Sequence, residues 1–160
     1  MGVLVGGEVL YMIKKESSNP FRMSGQVEKK LPAHCTALGK VLLSGLSVEE
    51  LGKAIDNAPH LEAFSINSIA TLRELKRHLV KVRQTGLAFD DEELNSGAVR
   101  LAGPVREYRG RIIAAISISF PKHRIVPGKL EAFKALLSAA CLDFSRQLGY
   151  QSPVVLEVQS

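Results

Sequence analysis

Two adjacent residues, His34 and Cys35, combine a nucleophile with a possible base. A thiolate near the first turn of a helix is stabilised there, and it can attack a substrate or bind a metal ion. Neighbouring residues of a helix point about 100° apart, however, so the two side chains need not reach one site. We favour a packed cysteine and a hydrogen-bonded histidine, with a thiol- or metal-dependent enzyme as the alternative.

A run of acidic residues from Asp90 to Glu93 is a second candidate for acid–base chemistry or metal binding. Acidic side chains at the edge of a loop are usually solvated, and we expect this of Glu92 and Glu93. Asp90 differs because it directly follows the strand-like residues 87–89. Its side chain is therefore expected to point into a pocket.

Arg100 interrupts an apolar run that has the pattern of a strand. On an edge strand its guanidinium would be solvated, whereas on a central strand it must be paired, because a lone buried charge is very costly. A guanidinium binds carboxylate in a bidentate fork, so ligand contact and surface exposure both stay open. In the next apolar run Ser117 and Ser119 alternate with isoleucines, and period two places both hydroxyls on one face.

Two strand hairpins are predicted to hold these residues. The first joins residues 3–5 to 8–13 through a two-glycine turn, and the second joins residues 98–105 to 112–120 through a polar link. A weaker strand is predicted from Phe21 to Met23. Antiparallel hairpins combined with helices indicate the α+β class.

Four helices are predicted from caps and apolar spacing. Ser47 and Glu50 match a capping box, and Gly86 is the expected end of the third helix. The predicted helices begin at Pro32, at Ser47, at one of Asn67, Ser68 and Thr71, and at Gly128. The fourth is expected to bury one apolar face, formed by Leu130, Phe133, Leu137, Ala140, Cys141, Phe144 and Leu148.

The composition is that of an ordinary globular chain of 160 residues, with 46% hydrophobic and 23% charged residues. The net charge of +5 comes from scattered basic residues without interleaved aromatics, so no nucleic-acid surface is predicted. Two cysteines without a CxxC motif suit a reducing cytoplasm, and no apolar run has the length to span a membrane. Phosphate-binding loops, a hydrolase serine motif and metal-ligand spacings are missing, so we expect no cofactor and no metal.

Several segments, taken in order, resemble the effector-binding domain of the IclR (isocitrate-lyase-regulator) family of bacterial transcription factors. The first, LPAHCTALGK, is close to the family pattern LPxHxTAxGK. The matching segments are Leu31–Lys40, Leu79–Gly86, Asp91–Glu93 with Gly97, Ala102–Val105, Ala114–Pro121 with Arg124, and Leu148–Tyr150.

The resemblance implies a GAF-like antiparallel sheet flanked by helices, in one domain of residues 1–150 followed by a tail of residues 151–160. It implies that the domain binds a small carboxylate effector and assembles as a homodimer or homotetramer. DNA would be bound only by a winged helix-turn-helix domain that normally precedes this one and that we expect to be missing from this chain. A ligand-free assembly module, with its polar side chains bonded to one another, is an alternative.

The family motifs also imply which positions bind the effector. These positions are Leu31, Ala37, Leu38, Asp90, Ser117 and Ser119. Arg100 stands where the family usually has a cysteine. We expect the effector's carboxylate to lie at the helix start near Ala37 and Leu38, with Arg100 as an additional clamp suited to a larger or doubly anionic acid.

Overall fold

The computed structural model describes residues 1–15, 30–56, 58–126 and 128–151. The strand predicted from Phe21 to Met23 and nearly all of the predicted tail lie outside these residues. Within them, six strands form one antiparallel sheet in the order β3-β2-β1-β6-β5-β4. The strands are β1 Gly2–Val5, β2 Glu8–Tyr11, β3 Lys30–Pro32, β4 Ala88–Asp91, β5 Ala98–Arg106 and β6 Ile112–Pro121. Both predicted hairpins, β1–β2 and β5–β6, are confirmed.

The helices are α1 Ala37–Ser44, α2 Val48–Ala54, α3 Leu72–Thr85 and α4 Lys129–Gln147. The predicted capping box begins α2, since Ser47 and Glu50 each accept a hydrogen bond from the other's backbone N–H. Thr71 caps α3, and Gly86 ends it in the left-handed conformation with φ 73°. Within the described ranges, no helix has the length and apolarity needed to cross a membrane.

The prediction that Pro32 opens the first helix was wrong. Lys30–Pro32 pairs with β2, Ala33–Cys35 form a 3₁₀ turn, and α1 begins only after Thr36. Thr36 has extended backbone, and its hydroxyl accepts a hydrogen bond from the Gly39 N–H at 3.0 Å, which makes it the helix cap. The turn folds back against Gly39, where a Cβ atom would lie 2.1 Å from the carbonyl oxygen of Ala33.

The sheet separates two apolar layers. On one face α1, α2 and α3 pack over small sheet residues that include Ala88, Ala102 and Ala115. On the other face α4 packs with Leu137 and Cys141 against large residues of β5 and β6. The period-two alternation within β5 and β6 therefore assigns small and polar side chains to the α1 face and large apolar side chains to the α4 face.

The predicted apolar face of α4 was only partly right. Leu137 and Cys141 are buried, but Phe144 is 42% exposed and the next buried position is Ser145. The Ser145 hydroxyl accepts a hydrogen bond from the Arg106 N–H at 2.9 Å, where the pairing of β5 with β6 is irregular. A buried backbone N–H requires an acceptor, and Ser145 supplies one to Arg106. The helix therefore turns Ser145, rather than Phe144, towards the sheet.

Candidate functional site

Strand register aligns four polar side chains, Asp90, Arg100, Ser117 and Ser119, which we call the polar row. Asp90 of β4 pairs with Arg100 of β5, and Arg100 pairs with Ser119 of β6; Ser117 lies two residues from Ser119 on the same strand, opposite Ala102. Directly opposed residues of antiparallel strands project to the same face, here the face covered by α1. The row runs from a fully buried Asp90 to an exposed Ser119.

Arg100 is buried, with 7% of its surface exposed, so the surface alternative is excluded. Its Nη1 donates to Asp90 Oδ2 at 2.8 Å. Its Nη2 donates to the side-chain oxygen of Asn95 at 3.0 Å, in the amide orientation that satisfies both Asn95 atoms. A guanidinium has five N–H groups, and these two contacts leave others that have no acceptor among the described residues.

Asp90 is fully buried and has a protein partner at each carboxylate oxygen. Oδ2 accepts from Arg100, and Oδ1 accepts from the Glu93 N–H at 2.9 Å. The side chain therefore points inward, as expected from the sequence. Its role in the folded protein is to hold the guanidinium and the acidic turn together.

Glu93 contradicts the expectation that it is solvated, because only 6% of it is exposed. Its Oε1 is in direct contact with the Lys40 ammonium of α1, which also donates to the Phe89 carbonyl at 2.6 Å. Burial raises the pKa of Glu93, and the Lys40 charge opposes that rise. Glu93 Oε2 has no hydrogen-bond partner in the described part of the chain.

Tyr11 is a site residue that the sequence analysis missed. It lies in β2 opposite Gly2, and Gly2 lies opposite Ala115, so Tyr11 projects to the same face as the polar row. Burial raises the pKa of Tyr11, and the nearby Arg100 charge opposes the rise. Tyr11 lies two residues after the fully buried Val9, so strand alternation could have predicted that its side chain points inward. No pattern in the neighbouring sequence linked Tyr11 to Arg100.

The implied positions near α1 differ in what they offer. The side chains of Ala37 and Leu38 are buried in the core, but their N–H groups lie in the first turn, where a helix has no carbonyl partners of its own. Cys35, just before this turn, lies near enough to Asp90 for that charge to affect its pKa. Leu31 lies in β3, the strand at the opposite edge of the sheet from β4.

The thiol and the imidazole do not form a reactive pair. Burial raises the pKa of Cys35 to about 12, and the Asp90 and Glu93 charges add to this shift, so the thiolate is not populated at neutral pH. His34 is buried, with Nε2 2.8 Å from the Glu62 carbonyl oxygen. No cluster of three acidic, histidine or cysteine ligands occurs among the described residues. Neither the Cys35 thiol nor a metal-ligand cluster within the described residues favours a thiol- or metal-dependent enzyme.

An open groove of about 240 Å³ lies at the other end of α1, and none of the predicted ligand positions lines it. Its lining includes Val41, Val82, Arg83 and Arg106. Arg83 donates to the carbonyl oxygen of Ser44 at 2.8 Å, at the C-terminal end of α1. That contact supplies a donor to a carbonyl at the end of α1, which is a structural role for Arg83.

An antiparallel sheet with helices on both faces and a buried polar row defines an α+β, GAF-like domain. Residues 1–146 match the family described as bacterial transcriptional regulator IclR, C-terminal. The chain belongs to the IclR family of bacterial transcriptional regulators and corresponds to the family's effector-binding domain. The family and the relatives are regulators and not enzymes.

Three similar proteins illustrate this membership. The HTH-type transcriptional regulator XynR of Escherichia coli is 33% identical over 94% of this chain and 59% of its own length. The solved C-terminal domain of E. coli KdgR is 30% identical, with a TM-score of 0.83 over 93% of this chain and 85% of that one. The PobR inducer-binding domain from Acinetobacter, a double mutant in complex with 3-hydroxybenzoic acid, is 27% identical, with a TM-score of 0.74 over 92% and 85%. This chain spans 59% of the length of XynR and 49% of the length of the HTH-type transcriptional regulator KdgR of Dickeya chrysanthemi.

Proposed function

We propose that this domain binds a small organic acid and that Arg100 is the main contact for the acid's carboxylate. The observation on which this rests is the guanidinium itself, which is buried on the α1 face, on the strand next to Ser117 and Ser119, and has N–H groups without an acceptor among the residues that the structure describes. A buried guanidinium with unused donors has a strong preference for a carboxylate, because charge-assisted hydrogen bonds exceed neutral ones in strength. The serine hydroxyls add neutral donors and acceptors.

The first turn of α1 supports the same choice of ligand. The N–H groups of Ala37 and Leu38 have no helical partner, and the positive end of the helix dipole favours an anion. The Gly39 N–H already donates to the Thr36 hydroxyl, so the N–H groups of Ala37 and Leu38 are the ones available to a ligand. Cys35 and Lys40, on either side of this turn, are both close to the acidic residues around Arg100.

The comparison with PobR supports a carboxylic acid. That inducer-binding domain was solved with 3-hydroxybenzoic acid, a small monocarboxylic acid, and its fold covers 92% of this chain. Because the two domains are 27% identical, we propose the class of small organic acids for this chain rather than 3-hydroxybenzoic acid in particular.

Replacing Arg100 by glutamine is expected to weaken binding of the best acid by roughly 10- to 150-fold, because hydrogen bonds to charged groups contribute about 1.5–3 kcal/mol. Titration calorimetry of the chain against aliphatic, keto, hydroxy and aromatic acids would identify that acid and measure the effect. The matched control is Arg77→Gln on the exposed side of α3, which should leave affinity unchanged.

Two outcomes would contradict the proposal. One is a wild-type chain that binds none of the acids at millimolar concentration. The other is an Arg100→Gln chain that remains folded by circular dichroism and binds the best acid as tightly as wild type does. The second outcome would place the carboxylate elsewhere.

We also propose that the whole protein is a cytoplasmic DNA-binding regulator. The relatives are named HTH-type regulators, and this chain spans only about half to three fifths of their length. A preceding winged helix-turn-helix domain would bind DNA, and the acid would act by favouring one arrangement of the domains. Gel-shift titration of the full-length protein on its own promoter, with and without the acid, tests this. An identical DNA affinity in both conditions would contradict it.

Self-association as a homodimer or homotetramer is part of the same proposal. Leu136 and Phe144 of α4, and Leu148 directly after it, are exposed apolar side chains, and an exposed apolar patch is typical of an interface. Light scattering after size exclusion should give a mass of two or four chains for the wild type. A mass of one chain at micromolar concentration would contradict self-association.

A further inference from the structure

Four ionisable side chains meet at the buried end of the polar row, and their formal charges cancel. Arg100 and Lys40 are cationic, and Asp90 and Glu93 are anionic. All four are buried, with ion pairs between Arg100 and Asp90 and between Lys40 and Glu93. Arg100 is therefore a source of hydrogen-bond donors without being a source of net charge.

We infer that the site accepts a singly charged carboxylate and discriminates against dicarboxylates, and that Asp90 sets this limit. The inference rests on the proposed function, because it concerns the acid that Arg100 binds. It reverses the expectation from the sequence that Arg100 would suit a doubly anionic acid. The physical reason is the cost of burying a charge that has no partner.

A single carboxylate is well matched to what the site offers. The spare N–H groups of Arg100 and the first turn of α1 supply donors, and the helix end adds roughly half a positive charge. Tyr11, Ser117 and Ser119 project from the same face of the sheet and carry hydroxyls, which add hydrogen bonds without charge. The two cations of this cluster, Arg100 and Lys40, are already paired with Asp90 and Glu93, so neither offers an unpaired charge to a second carboxylate.

Asp90 is a positioning residue that acts through Arg100. It has no exposed surface, and both carboxylate oxygens already accept hydrogen bonds from the protein. Its effect on a ligand is to fix the direction of the guanidinium and to cancel its charge. Asn95, the second acceptor of Arg100, also helps to fix the direction of the guanidinium, but as a neutral amide it does not cancel the charge. Neutralising Asp90 should therefore change charge selectivity more than it changes the site's shape.

The test compares matched ligands in titration calorimetry: succinate with its monoamide, and terephthalate with 4-carbamoylbenzoate. Each pair differs only in the second carboxylate. The wild-type chain is expected to prefer the monoamide of each pair by about tenfold or more. In Asp90→Asn the ratio of the two affinities should shift towards the dicarboxylate by about tenfold, because the site gains one net positive charge.

Two further variants make the outcome decisive. Asp91→Asn removes a charge from the same strand, but Asp91 pairs at the surface with Lys122 at 2.9 Å, so its affinity ratio should equal that of wild type. Glu93→Gln also raises the net charge by one while leaving the Arg100–Asp90 contact intact. It should shift the ratio in the same direction as Asp90→Asn, and it serves if Asp90→Asn fails to fold.

The outcomes separate this inference from the proposed function. If wild type binds the dicarboxylates as tightly as the monoamides, or if both variants keep the wild-type ratio, the charge limit is wrong and acid binding stands. If wild type binds neither these four compounds nor any other organic acid, both ideas are wrong. A shift in Asp91→Asn as large as that in Asp90→Asn would also overturn the role of Asp90.

Discussion

Replacing Lys40 by methionine is expected to lower the free energy of unfolding by about 3–5 kcal/mol, the usual cost of removing one partner from a buried ion pair. Lys40 is 1% exposed and contacts Glu93, and it also donates to the Phe89 carbonyl at 2.6 Å. The methionine would fill similar space but leave a buried carboxylate and a buried carbonyl without their donor. Urea unfolding followed by circular dichroism measures the change.

Two variants isolate the cause of this effect. Lys53→Met breaks an ion pair with Glu49 that is exposed on α2, and it should have little measurable effect. In the double variant Lys40→Met with Glu93→Leu, no buried charge is left unpaired, so most of the lost stability should return. Most surface substitutions change stability by no more than about 0.5 kcal/mol. A change as small as that in Lys40→Met would show that Glu93 does not depend on Lys40.

Replacing Gly39 by alanine is expected to destabilise the domain by about 3 kcal/mol or more, although alanine favours helices by up to about 1 kcal/mol over glycine. A Cβ atom at Gly39 would lie 2.1 Å from the Ala33 oxygen and 2.3 Å from the Ala33 Cα. Both are backbone atoms of a fully buried turn, so no side-chain rotation relieves the overlap. Thermal and urea unfolding measure the loss.

Gly45→Ala is the matched control for Gly39→Ala. Its Cβ would approach only the side chain of Ile112, at 3.0 to 3.3 Å, which can move by a small amount. We expect a much smaller change in stability than at Gly39. If Gly39→Ala equals or exceeds the wild-type stability, the 3₁₀ turn and α1 are not held at the separation described above. The first turn of α1 would then not be fixed over the polar row.

Local patterns in the sequence were enough to define much of the fold. Two glycines between β1 and β2, and the alternation along β6, specify hairpins and faces because turn geometry and strand period depend on neighbouring residues. The capping box at Ser47 and the end of α3 at Gly86 were predicted for the same reason. The ordered family motifs added the domain class, which the match over residues 1–146 confirms.

Other predictions failed where a distant contact decided the outcome. The first helix begins at Ala37 rather than Pro32, because residues 30–32 pair with β2. Ser145 replaced Phe144 on the buried face of α4 because the Arg106 N–H needed an acceptor. In both cases the local sequence pattern allowed more than one structure, and hydrogen bonds with a strand distant in the sequence determined which one formed.

The sequence by itself determined an α+β domain of the IclR family, with Ser117 and Ser119 on one strand face and Asp90 directed inward. Only the tertiary structure decided the electrostatics of the site. The register of β4 with β5 places Asp90 opposite Arg100, and the packing of α1 places Lys40 against Glu93. Whether a charge is exposed, paired or available to a ligand depends on the groups around it in space, and these come from segments far apart in the chain.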